Sequence, residues 1–144
     1  MGESSRTEEV VVASASRASI ADSEIDARRV RAAKTQSLLR EVNERIEDLS
    51  GGQPTETSGE VSLAREIDLA CECIDETCTQ RVTMTAREYE AVRSDSNTFF
   101  VKPGHDVPEV EEVVRAEANY VVVSMVGTGA PVAEKLDPRR RKRS

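Results

Sequence analysis

With 144 residues, a net charge of −7 and a sequence pI near 4.9, the chain is an acidic protein with room for one compact domain and tails. That charge repels phosphate and argues against general nucleic-acid binding. The longest apolar run, Tyr120-Val121-Val122-Val123, is far shorter than the roughly 18–20 residues of a membrane-crossing helix. Aromatic residues make up 3% and tryptophan is absent, so a core must rest on aliphatic side chains, each giving about 1.5–3 kcal/mol when fully buried.

Residues 1–22 mix Ser, Ala, Thr, Arg and Glu around Val10-Val11-Val12 without periodicity and predict a disordered N-terminus. The opening Met1-Gly2-Glu3-Ser4-Ser5 has no basic or apolar leader region, so a cytoplasmic protein without a signal peptide is expected. Residues 23–50 predict one longer amphipathic helix. Ser23 and Asp26 resemble a capping box, no Gly or Pro interrupts, and Gly51-Gly52 ends it. Leu39, Val42, Ile46 and Leu49 step by three and four residues into an apolar stripe, and Arg28, Arg29, Arg31 and Lys34 make the earlier half basic. The heptads are too few for a sustained coiled coil, so packing on the chain's own domain and a homodimer through this helix both remain open. Residues 51–60 have the Gly, Ser, Thr and Pro composition of a flexible linker.

Residues 61–126 predict a small α+β domain of short antiparallel strands and two short helices. Ile67 to Cys73 alternates as a strand, and Arg81 to Met84 follows as a second. Thr85-Ala86-Arg87-Glu88 is a capping box opening a helix with Tyr89 and Val92 on one face. Asn97 to Val101 is a strand ending at Pro103-Gly104. Asp106-Val107-Pro108-Glu109 has the cap, proline and N3 glutamate of a second helix, with Val110, Val113 and Val114 as its stripe. Tyr120 to Val126 is the strongest strand, stopped by Gly127 and Gly129. Residues 127–144 predict a disordered tail whose run Arg139-Arg140-Arg141-Lys142-Arg143 reverses the acidic balance and offers at most a weak contact to nucleic acid.

Cys71, Cys73 and Cys78 fall within eight positions, and the chain's one histidine, His105, follows in a Pro103-Gly104-His105 turn. Side chains two apart on a strand share a face, so Cys71 and Cys73 can present both sulfurs to one ion. Three thiolates and an imidazole saturate a tetrahedral zinc ion and leave no position for water or substrate, the mark of a structural site. Buried or surface thiols without metal, and a reversible Cys73–Cys78 redox pair, are the competing readings. Glu72, Asp75 and Glu76 beside the thiols disfavour a free thiolate and favour a cation. No catalytic residue is assigned. Gly127-Thr128-Gly129 lacks the third glycine of a dinucleotide fingerprint, and Glu111-Glu112 reads as solvated.

The stretch Cys71-Glu72-Cys73 through Cys78, with Leu69 before it, Tyr89-Glu90-Ala91-Val92-Arg93, Pro103-Gly104-His105 and a Val-rich strand, resembles a group of short uncharacterised bacterial proteins with a zinc-ribbon-like module. In that group a helix like Glu41 to Ile46 precedes the cysteines. The resemblance implies the module over residues 37–126 and no reaction. The expectation is a non-enzymatic zinc-binding module for protein interaction or regulation. A redox-responsive zinc/thiol protein, or a nucleic-acid-associated factor acting through the tail, is the alternative.

Overall fold

The structure, a computed structural model, describes residues 2–50 and 63–143, with side chains described over 21–50 and 63–140. The expected linker at 51–60 lies outside the described residues. The architecture is mixed α+β: a long helix α1 (Gly2–Leu49), a hairpin of β1 (Glu66–Ala70) and β2 (Arg81–Thr85), and helix α2 (Ala86–Arg93). A second sheet then holds β3 (Thr98–Val101), β4 (Glu111–Ala116) and β5 (Val121–Met125), before the short helices α3 (Gly129–Lys135) and α4 (Pro138–Arg143). The strands order as β1-β2 and as β3-β5-β4, antiparallel throughout. None of the described helices is long and apolar enough to cross a membrane.

Local chemistry accounts for several elements directly. Thr85 Oγ1 accepts from Glu88 N at 3.1 Å and Glu88 Oε1 accepts from Thr85 N at 2.9 Å, the predicted capping box. All four residues of β3 are buried, and alternation splits them. Phe100 enters a core with Leu69, Tyr89 and Val122, while Phe99 and Val101 enter another with Ala33, Val123 and Met125. Phe100 sits between Tyr89 and Tyr120 in edge-on contacts at 6.2 and 6.3 Å. Its outer edge is covered by the segment after β1, where Glu72 N donates to Phe100 O at 3.0 Å.

Several expectations are corrected. The second predicted helix makes one turn, with Val110 N and Glu111 N both donating to Val107 O, and then becomes strand β4, pairing Val113 with Val123. A run of Glu and Val suits either state, and pairing with β5 decides it. Glu111, read as solvated, is buried. The helix expected from Ser23 extends from Gly2, through a stretch free of internal Gly and Pro.

Helix α1 packs on the rest of the chain, one of the two arrangements left open, but its inward face is not the expected stripe. Val42 and Leu49 are exposed, Leu39 is half-buried and only Ile46 packs on the core. Gln36, Arg40, Asn43, Glu44 and Glu47 are buried in their place. Gln36 Nε2 donates to Glu72 O, Asn43 Nδ2 to Ala70 O, and Arg40 to Ser96 O and Ala133 O, all at 2.7–2.9 Å. The helix thus covers backbone carbonyls at strand and helix ends, which require donors when buried.

The last correction is the tail. Gly129 admits α3 against α1, since a Cβ there would lie 2.9 Å from Arg29 O, and Gly127 turns the chain at φ +60°. Ala133 joins the core. Arg139 is then caged: its guanidinium donates to both carboxylate oxygens of Glu44 (2.6 and 3.0 Å), to both of Glu90 (2.9 and 2.7 Å) and to Glu47 at 3.3 Å. Arg93, fully buried, pairs with Asp137 at 2.5 Å and Glu44 at 3.4 Å beside it. A basic run read as a solvated end therefore begins with a residue of the interior.

Candidate metal centre

Two loops build the site. Cys71 directly follows β1, its N–H donating to Gln80 O at 3.1 Å, so the hairpin extends to the first sulfur. Past Cys73 the chain turns at Asp75, whose Oδ1 accepts from Thr77 N at 2.9 Å and Thr77 Oγ1 at 2.6 Å. Cys78 N closes the turn on Asp75 O at 3.0 Å. The second loop leaves β3 at Lys102. His105 N donates to Lys102 O at 2.9 Å with Gly104 at φ +89°, a type II turn whose third residue demands glycine.

These turns bring all four predicted ligands together. The ligand atoms of Cys71, Cys73, Cys78 and His105 all lie within 4.8 Å of one another. His105 Nδ1 is 3.6 Å from the sulfurs of both Cys71 and Cys78. A tetrahedral ion with bonds of about 2.3 Å to sulfur and about 2.0 Å to nitrogen separates those atoms by about 3.5 Å, so the cluster has the size of a four-ligand metal site. Cys71 and Cys73 are buried, Cys78 and His105 half-buried.

Burial pushes the Cys71 thiol up to about 12, against a hydrogen bond from Lys102 N at 3.3 Å, and it raises Cys73 as well. Thiols so held stay protonated at neutral pH. A divalent cation reverses the balance by binding the thiolates directly. The acidic surround expected from sequence is only partly there, because Glu72 turns away from the sulfurs to accept from Asn43 Nδ2 at 2.9 Å and Phe100 N at 3.3 Å.

That departure exposes residues the sequence reading missed. Gln36 Nε2 spans Glu72 O and Glu111 Oε1, both at 2.8 Å, and Glu111 Oε2 accepts from Val107 N at 2.8 Å. One glutamine thereby ties the Cys71–Cys73 segment after β1 to the loop bearing His105, and Asn43 fixes Ala70 by exchanging two bonds of 2.9 Å with it. Burial pushes Glu72 up to about 7, against Asn43 and the nearby arginines, while burial also raises Glu111. The one sequence signal for this layer was Gln36 and Asn43 standing seven apart on the helix.

Compared with known proteins, the chain matches no family model, no curated protein and no solved structure.

Proposed function

We propose that the protein is a non-enzymatic module in which one zinc ion, held by Cys71, Cys73, Cys78 and His105, fixes a surface for a protein partner. The observation carrying this reading is the convergence of three sulfurs and one imidazole nitrogen within 4.8 Å, from loops 34 positions apart at the extremes. Three thiolates with one histidine is a soft donor set that suits zinc and closes its coordination, so the ion acts on shape and not on substrate. Elemental analysis of protein purified without added metal is the test, with about one zinc per chain expected. Metal-free protein that melts cooperatively at an unchanged temperature in chelator would falsify the reading.

A further inference from the structure

Where α1 passes the cysteine loop there is a groove of about 400 Å³, floored by Ala32, Ile74, Val107 and Val110. Its edge is fixed by Glu109, which holds Arg28 in an ion pair and accepts at its carbonyl from Arg29 Nε at 2.9 Å. Arg31 and Lys34 line the same groove, both exposed and neither in an ion pair among the described residues. With Arg28 neutralised by Glu109, the two free cations outweigh the remaining acid, Glu76. The groove is thus an apolar slot with a cationic rim on an otherwise acidic chain.

We propose that this groove docks a short acidic segment of a protein partner, one apolar side chain seated on the floor and a neighbouring carboxylate on Arg31 and Lys34. The proposal rests on the interaction-module reading above and names the partner's chemistry. An apolar floor of Ala32, Ile74, Val107 and Val110 rewards a side chain and gives a phosphate nothing, so a peptide fits better than a nucleic acid. Ile74 lies between Cys73 and Cys78, so metal binding shapes one wall.

The test is fluorescence anisotropy of the metal-loaded full chain against labelled peptides Asp-Glu-X-Asp-Glu, where X is Leu, Ile, Val, Phe or Ser, with Lys-Lys-Leu-Lys-Lys and an oligouridine as comparisons. At least one apolar X should bind about tenfold tighter than Ser, the basic peptide or the RNA, and Arg31→Glu with Lys34→Glu should remove that margin while metal content and melting stay unchanged. Equal binding of all probes, tighter binding of the RNA, absence of binding, or indifference to the double substitution each overturns the proposal. Absence of binding by a chain that carries zinc sinks the groove alone, and a folded chain without zinc sinks the module reading alone.

Discussion

The cysteine and histidine cluster and the cage around Arg139 both tie distant stretches together, and they do it with opposite materials. In the first, burial pushes the Cys71 and Cys73 thiols up, and on the proposed reading the tie is a cation from outside the chain. In the second the cation is built in, since Arg139 of α4 reaches Glu44 and Glu47 on α1 and Glu90 on α2. On that reading the cluster depends on what is bound, and the cage depends on pH. Loss of metal should have the larger effect. Stripping the ion or substituting Cys71→Ser is expected to destabilise the fold by about 3 kcal/mol or more, read as a drop in melting temperature with chelator. An unaltered melt would place the cage ahead of the cluster.

The cage comes next. Arg139→Ala removes the counter-charge from two carboxylates, Glu90 and the nearly buried Glu44, and takes a hydrogen bond from the fully buried Glu47. Breaking one side of a buried ion pair costs about 3–5 kcal/mol, and urea melts should show a loss at or below that range, because Arg139 itself keeps a little exposure. Arg139→Lys should recover only part of it, since an ammonium with three donors cannot bond both oxygens of Glu44 and both of Glu90 as the guanidinium does. A full recovery would mean that charge alone matters and the forked geometry does not.

The contrast also explains what the sequence disclosed. Three cysteines and one histidine are scarce residues whose spacing carries chemistry, and all four converge as expected. The capping box at Thr85 and the strands at Arg81, Thr98 and Val121 rest on local rules, and they appear within a residue or two of prediction. Arg139 is one arginine in a basic run, and nothing local separates it from Arg141. The inward face of α1 was hidden for a related reason. Gln36, Arg40 and Asn43 are polar residues whose burial is sensible only beside the carbonyls of Glu72, Ala133 and Ala70, and those partners exist only once the sheets are assembled. Strand β4 was lost because Val110, Val113 and Val114 satisfy helical spacing and strand propensity alike.

A smaller effect follows from Glu47, whose carboxyl is pushed up to about 8, chiefly by burial and then by sharing a hydrogen bond with Glu90. A carboxyl with a raised folded-state value contributes stability that is fully present below its unfolded value of 4.5 and is lost as pH climbs through about 8. Glu72, pushed up to about 7, acts in the same direction. Glu44, Glu90 and Asp137 are held low by their hydrogen bonds and charge pairs with arginine, and they act oppositely, withdrawing stability as pH falls through the acid range. Between pH 5.5 and pH 8.5 the first group governs, so the intact protein should weaken as pH rises, by at most roughly 1.4 kcal/mol for each pKa unit involved. Glu47→Gln keeps the donor toward Glu90 without the titration and should flatten the slope. An identical slope in both proteins would move the titration to Glu72.

The smallest effects belong to the outward face of α1. Leu49 is 89% exposed and Val42 47%, so replacing either by Ser removes little apolar contact from the fold. Each change should move the unfolding free energy by less than about 0.5 kcal/mol. Ile46 lies on the same predicted stripe but packs against the Leu69 and Phe100 cluster, so Ile46→Ala should cost about 1–2 kcal/mol. Sedimentation of the Val42→Ser and Leu49→Ser proteins adds a second reading. If these side chains are simply solvated, mass and stability stay as they were. If the stripe joins two copies, both fall together and depend on concentration, since stability held by association varies with protomer concentration. The distinction matters for the cage, because Glu44 and Glu47 stand on the same helix, and a dimer through α1 would share its stability with Arg139.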